Sequence, residues 1–268
     1  MSQPQLTLIG AGRMGSAMLG GWLKQGLGGQ ISVHEPNPSE ALQDLATSGD
    51  IKLNDTPTPS KTLIVAVKPQ IFASVSDTIR AHIRPETHAL SVMAGVSLET
   101  LEARLGTPNV ARAMPNTPGL VGKGLTLTSF KDDTSEETRA HLSSLLTPLG
   151  AVEGPIPETL LPTATAISGC GPAYGCLLAE VMAAAGIAHG LDADLASRLA
   201  RKTVEGAGAL MEGSPETAAT LRQNVTSPNG VTQAALEVLM DEAAMPSLFK
   251  DAVAAAIARD QALSEETK

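Results

Sequence analysis

Residues 6–15 constrain this chain more than any other segment. Leu6, Thr7, Leu8 and Ile9 form a short apolar run that ends in Gly10-Ala11-Gly12-Arg13-Met14-Gly15. Met14, Ala17, Met18 and Trp22 then recur at helical spacing, and Gly26 supplies a stop. This is strand, glycine turn, helix. The motif G-x-G-x-x-G is weak by itself, but between a strand and a helix it has a mechanism. Gly10 permits the tight turn, Gly12 lets the backbone approach a pyrophosphate, and Gly15 lets helix and strand pack closely. The freed N–H groups and the helix dipole then hold the anion.

The following residues repeat the alternation. A strand over residues 31–34 ends at Glu35-Pro36-Asn37-Pro38, and residues 40–46 are helix-like. Residues 62–67 read as a fully buried strand ending at Lys68-Pro69-Gln70. Further strands are predicted over 89–92, 110–114 and, more weakly, 125–129. Strands alternating with helices predict an α/β fold with a Rossmann-like, parallel, doubly wound sheet over residues 1–155.

Beyond about residue 155 the strand signal stops. Leu160, Ala164 and Ile167 step along one face, and residues 172–188 are almost continuously helical. Asp192 or Asp194 can cap a helix that stops at Gly213, and Ser214-Pro215 reads as the next cap with a first-turn proline. Helices are also expected from about Gly230 to Met240 and from Ser247. Residues 156–268 are therefore predicted to be an all-helical second domain. Its helices are rich in Ala and Gly with few large side chains, so burying their faces against a second copy predicts a dimer or a higher assembly.

Charge and targeting signals bound the partners. Nineteen Lys and Arg against 28 Asp and Glu give a net charge of −9, which argues against a nucleic-acid partner. An anionic ligand must then be held by local dipoles. Cys170 and Cys176 point in different directions on a helix, so a reduced compartment is expected. The start, M-S-Q-P-Q-L-T, has no signal-peptide pattern. No stretch reaches about 18 uninterrupted apolar residues. We expect a cytoplasmic protein without a membrane span. The five His residues show no metal-ligand spacing, and no metal is assigned.

Candidate site residues follow from strand ends. Glu35 lies 20 residues after Gly15, where an acidic side chain can accept from the ribose 2′-OH of NAD. No Arg or Lys nearby in sequence would grip a 2′-phosphate, which leans toward NADH, although Asn37 could serve either form. Lys68-Pro69 and Met114-Pro115-Asn116 follow strand ends and are placed to line the nicotinamide half. In the helical half, Ser227-Pro228-Asn229-Gly230 is a turn feeding an apolar helix. Its exposed N–H groups offer a carboxylate site within reach of Thr232, or else it is an ordinary helix start. Ser168-Gly169-Cys170-Gly171-Pro172-Ala173-Tyr174 suggests close backbone approach, with Cys170 a small buried residue and not a nucleophile.

These segments together resemble pyrroline-5-carboxylate reductases. The resemblance runs nearly end to end, through Gly10–Gly15 with Met18 and Gly20-Gly21, Ala66-Val67-Lys68-Pro69-Gln70 and Ala94-Gly95-Val96. It continues through Arg112-Ala113-Met114-Pro115-Asn116-Thr117-Pro118, residues 168–174, residues 224–232 and Leu236-Glu237-Val238-Leu239. It implies a helical C-terminal dimerisation domain that interlocks with its mate, dimers that commonly assemble to decamers, NADPH or NADH as cofactor, and the step that completes proline biosynthesis. By position, Ala11, Gly12, Arg13, Met14, Glu35, Asn37, Asn54, Ala66, Val67, Lys68, Pro69 and Ala94 would lie along the cofactor. Asn224, Gly230, Val231 and Thr232 would hold the substrate. Asn229 stands where the family usually has Gly, and Cys170 where it usually has Ser.

The implied chemistry is modest in its demands. Reducing a cyclic imine needs hydride delivery to the C=N carbon and a protonated or hydrogen-bonded nitrogen, so no strong base is required. N–H groups around Gly230 and Val231 would hold the carboxylate, and the Thr232 hydroxyl would contact the ring nitrogen. A 3-hydroxyacid dehydrogenase would need a lysine on the first long helix of the second domain, and residues 172–188 contain none. A non-catalytic nucleotide sensor would not need residues 224–232.

Overall fold

The computed structural model describes residues 5–266. Its contacts divide it into two compact units, one holding the residues up to Gly169 together with those from Ala256 on, the other Cys170–Ala255.

In the first unit, β1 (Leu6–Ile9), β2 (Ile31–His34), β3 (Lys52–Leu53), β4 (Thr62–Val65), β5 (His88–Ser91), β6 (Val110–Met114), β7 (Gly124–Phe130) and β8 (Gly150–Glu153) form one sheet. Its order is β3-β2-β1-β4-β5-β6-β7-β8. The first six strands are mutually parallel, with Leu6 opposite both Ile31 and Thr62. The order reverses beside β1, which opens a crevice at the carboxyl ends of β1 and β4. One expectation fails: β7 runs antiparallel to β6, and β8 pairs parallel to β7. Residues 115–123 between β6 and β7 are fewer than the dozen or so that a parallel crossover needs.

Alternate strand residues feed two cores, because successive side chains point to opposite faces. Leu6, Leu8 and Ile64 pack with Met18, Leu19 and Trp22 of α1 (Arg13–Lys24), with Leu42 of α2 (Glu40–Thr47) and with Leu142 of α5 (Glu136–Ser144). Ile9, Leu63 and Val65 pack with Phe72 and Ile79 of α3 (Pro69–Arg80) and with Leu101 and Leu105 of α4 (Leu98–Leu105). Trp22 is fully buried, and its Nε1 donates to the Leu145 carbonyl at 2.7 Å, so the largest core side chain leaves no polar atom orphaned. The short α6 (Leu161–Ser168) ends this part of the chain.

The second unit is helical: α7 (Gly171–Ala188), α8 (Ala193–Glu212), α9 (Ala218–Asn224), α10 (Val231–Leu239) and the start of α11 (Met245–Glu266). Asp192 caps α8, accepting from the N–H groups of Asp194 and Leu195, and Gly213 ends it. The next cap is Thr217, not Ser214; the Ser214 hydroxyl instead accepts the Glu216 N–H. Helix α11 opens at Met245, before Ser247, with Pro246 in its first turn where a missing N–H costs nothing.

Among the described residues one stretch has the length and average composition of a membrane span, although polar residues including Glu180 interrupt it. Glu158–Ala188 is long and apolar enough to cross a membrane by length and composition, and none of its most apolar window is buried within this chain. Leu177, Val181, Leu199 and Val238 are exposed large apolar residues on α7, α8 and α10.

Candidate active site

The three motif glycines have three different local reasons. Gly10 sits at φ +89, and a Cβ there would lie 2.7 Å from the Ala66 carbonyl oxygen. A Cβ on Gly15 would lie 2.3 Å from the Gly10 carbonyl oxygen, so it clears the turn first and the β4 end second. Around Gly12 a Cβ would meet no protein atom within 4 Å. Packing therefore explains Gly10 and Gly15, whereas the space beside Gly12 is open to a ligand. Gly12 is also the N-cap of α1, with no side-chain cap and no acidic residue in the first turn. The N–H groups there and the positive helix end fit the pyrophosphate of a dinucleotide.

The other residues expected along the cofactor gather at the same edge of the sheet. Glu35, just past β2, accepts the Ala11 N–H at 2.9 Å through one carboxylate oxygen and the Asn37 N–H at 3.1 Å through the other. Asn54, at φ +52, clasps the Glu35 backbone: its Oδ1 accepts the Glu35 N–H at 2.9 Å and its Nδ2 donates to the Glu35 carbonyl at 2.8 Å. Ala66 follows β4, its N–H donating to Ile9 at 2.8 Å. Val67 and Lys68 lead into α3, with Lys68 as its N-cap and Pro69 as its first residue. Ala94 is half-buried after β5, and next to it Gly95, at φ +70, abuts Leu263 of α11. Arg13 is exposed and Met14 half-buried at the start of α1.

Asn116, just past β6, has both ends of its side-chain amide engaged. Its Nδ2 donates to the Ser168 carbonyl at 2.9 Å and its Oδ1 accepts the Leu125 N–H at 2.8 Å. Both ends of the amide are used to tie α6 and the start of β7 to the end of β6.

A polar cluster that sequence reading missed lies behind Glu35. The Ser32 hydroxyl donates to Asp55 at 2.7 Å and lies 3.2 Å from His34 Nε2, and the His34 and His82 rings meet edge to face at 4.3 Å. His82 is 1% exposed, and its Nδ1 has no hydrogen-bond partner. Burial, and then the neighbouring His34, push His82 down to about 4. Burial lowers His34 too, against the pull of Asp55. The alternation of Ser32 and His34 on one face of β2 was readable; their meeting with residues 55 and 82 was not.

In the second unit, the turn at residues 227–230 delivers a helix start with free donors. Gly230 is the N-cap of α10, without a side-chain cap or an acidic first turn. Val231 is 91% exposed, and Thr232 is exposed beside it. Asn224 ends α9, with its Nδ2 donating to Glu216 at 3.0 Å. Arg222, Gln223, Gln233 and Glu237 line a groove of about 300 Å³ between α9 and α10. Cys170 is the N-cap of α7, and both cysteines are free thiols. Among the described residues, no group of three or more His, Cys, Asp or Glu could hold a metal ion.

A Rossmann sheet with an open, uncapped glycine turn defines the class, a dinucleotide-dependent oxidoreductase. Residues 5–95 match the family model of NADP oxidoreductase, coenzyme F420-dependent, and residues 158–263 that of pyrroline-5-carboxylate reductase dimerisation. The chain is 33% identical to the pyrroline-5-carboxylate reductase of Pseudomonas aeruginosa over 99% of both chains. The pyrroline-5-carboxylate reductase structure from Coxiella burnetii superposes with a TM-score of 0.88 at 27% identity, covering 98% of this chain and 99% of that one. The Plasmodium falciparum pyrroline carboxylate reductase, solved with NADP bound, gives 0.80 at 26% with the same coverage. The chain belongs to the pyrroline-5-carboxylate reductase family of oxidoreductases.

Proposed function

We propose that this chain reduces 1-pyrroline-5-carboxylate to L-proline with NADPH or NADH, the last step of proline biosynthesis. A Rossmann fold alone does not choose a substrate. The observation that carries the reading is the match to the Pseudomonas aeruginosa reductase over 99% of both chains. The open space beside Gly12 and the uncapped start of α10 support it, since cofactor and substrate both bring an anion.

In this reading the turn Gly10, Ala11, Gly12, Arg13, Met14 and Gly15 lines the pyrophosphate, and Glu35, Asn37 and Asn54 line the adenosine ribose. The Gly10 and Ala11 N–H groups are already taken by the His34 carbonyl and the Glu35 carboxylate. Ala66, Val67, Lys68, Pro69 and Ala94 line the nicotinamide half. NADPH or NADH, when bound, supplies the hydride that reduces the C=N bond. Backbone N–H groups around Gly230 and Val231 hold the substrate carboxylate, with Asn224 beside them; the N–H of Gly230 itself is taken by the Ser227 carbonyl, so the open donors begin at Val231. The Thr232 hydroxyl contacts the ring nitrogen and fixes the face presented for reduction. Because the iminium is already electrophilic, orientation supplies most of the acceleration.

Residues 1–155 would then be the dinucleotide domain, and residues 156–268 the substrate-binding and dimerisation domain. The exposed Leu177, Val181, Leu199 and Val238 suit a homodimer, with assembly to decamers beyond it. We place the protein in the cytoplasm, free of nucleic acid and membrane. Glu180 lies inside the most apolar helix, and a carboxylate there would cost roughly 3 kcal/mol in a bilayer. Cofactor with both nicotinamide C4 hydrogens replaced by deuterium tests the reaction: proline carrying deuterium on the former imine carbon supports it, and unlabelled or absent proline rejects it.

A further inference from the structure

We infer that Gln233 is a positioning residue for the carboxylate site at the start of α10, holding the preceding turn in shape while leaving the helix's own N–H groups open. This rests on the substrate reading of residues 230–232 above.

The turn before α10 is constrained from two sides. The Gly230 N–H donates to the Ser227 carbonyl at 3.0 Å, and a Cβ on Gly230 would lie 2.9 Å from that same oxygen. Asn229 sits at φ +55, in the left-handed region that most side chains avoid and Asn tolerates. Something must hold Asn229 there, because the N–H directions of the next residues depend on it.

Helix starts are commonly secured by a reciprocal capping box. The N-cap side chain accepts from the third helical residue, and a Glu or Gln at that third position reaches back to the N-cap N–H. Here only the second half exists. Gly230 has no side chain to offer, so the N–H groups at the beginning of α10 are not plugged from within. Gln233, the third helical residue, reaches one residue further back, and its Oε1 accepts the Asn229 N–H at 2.7 Å. Its Nε2 donates to Glu237 Oε1 at 3.0 Å, one helical turn on, which sets the amide's orientation. Half a capping box thus pins the left-handed residue and keeps the anion-binding donors free. Gln233 acts on the substrate through Asn229.

The test is steady-state kinetics on the full-length chain with Gln233→Leu, which keeps the volume and removes the acceptor. Losing one such bond should raise KM for 1-pyrroline-5-carboxylate roughly fivefold, with kcat within about twofold and KM for NADPH unchanged. Adding Asn229→Gly should restore the substrate KM, because Gly adopts positive φ without the side-chain penalty. The double variant also serves if Gln233→Leu folds poorly: a KM restored to that of the unsubstituted chain is expected, and a raised KM overturns the inference. An unchanged substrate KM in Gln233→Leu, or equal losses for substrate and cofactor without rescue, overturns it as well. If the unsubstituted, folded protein fails to turn over, the reading of the site falls and takes this inference with it.

Discussion

The carboxylate of Glu35 accepts the backbone N–H of Ala11 at 2.9 Å, so the acidic residue at the end of β2, proposed above as a ribose contact, is a strut for the glycine turn. A carboxylate offers about four acceptor sites. Bonds to Ala11 and Asn37 use two of them, leaving capacity for a ribose hydroxyl. Glu35→Gln should therefore weaken both NADH and NADPH by loosening the turn, and NADH more, because it also loses the ribose acceptor. Charge-assisted bonds of this kind are worth roughly 1.5–3 kcal/mol, so the NADH KM should rise about tenfold or more. Equal KM values in variant and parent would remove Glu35 from cofactor binding.

Gly12 and Gly15 should separate binding from folding. Gly12→Ala meets no protein atom within 4 Å, so its melting temperature should stay close to that of the parent while cofactor affinity drops. Gly15→Ala drives a methyl group to 2.3 Å from the Gly10 carbonyl oxygen and should cost stability, about 3 kcal/mol or more. Thermal melts and cofactor titrations on both variants check the pair; a destabilised Gly12→Ala with normal affinity would contradict the open-cradle account.

Acid should weaken the fold through the histidine pair behind Glu35. The folded protein holds His82 near 4, and the unfolded chain returns it to 6.5. As pH falls, the unfolded chain binds the proton first. The stability that this difference contributes is whole above about pH 6.5 and is lost progressively between there and about pH 4. At 1.36 kcal/mol per unit the full loss is about 3 kcal/mol. Burial lowers His34, His88 and His141 in the same sense. Denaturant titrations at about pH 7.5 and pH 5 should show the parent losing roughly 2 kcal/mol more than His82→Gln. Parallel losses in both would rule out His82 as the main source.

Much of this arrangement was legible in the sequence where a glycine or proline bounds an apolar run. Strands β1 and β2 fall where the runs ending at Gly10 and Glu35 predicted them, and α8 lies between its Asp192 cap and Gly213. The edge strands were not legible. Lys52–Leu53 is two residues long, and Gly150–Glu153 is half exposed, so neither leaves a periodic signature. Thr217 was overlooked because Ser214-Pro215 carries the same cap chemistry three residues earlier. Contacts between distant residues were invisible for a deeper reason. The bonds from Glu35 to Ala11 and from Asn116 to Ser168 depend on strand order and register, which no local pattern encodes.

Thr232→Ala should separate chemistry from cofactor binding. Losing the hydroxyl proposed to orient the imine nitrogen should lower kcat roughly tenfold, and KM for NADPH should stay near the parent value. Unchanged turnover would take Thr232 out of the reaction.

The reaction proposed for this protein couples a nicotinamide cofactor to a five-membered cyclic imine. Its most direct test is the loss of nicotinamide absorbance with 1-pyrroline-5-carboxylate, run in parallel with NADH and NADPH on folded protein. We predict turnover that depends on the imine, with the ratio of the two rates reporting the weight of Glu35. No turnover with either cofactor would contradict the account.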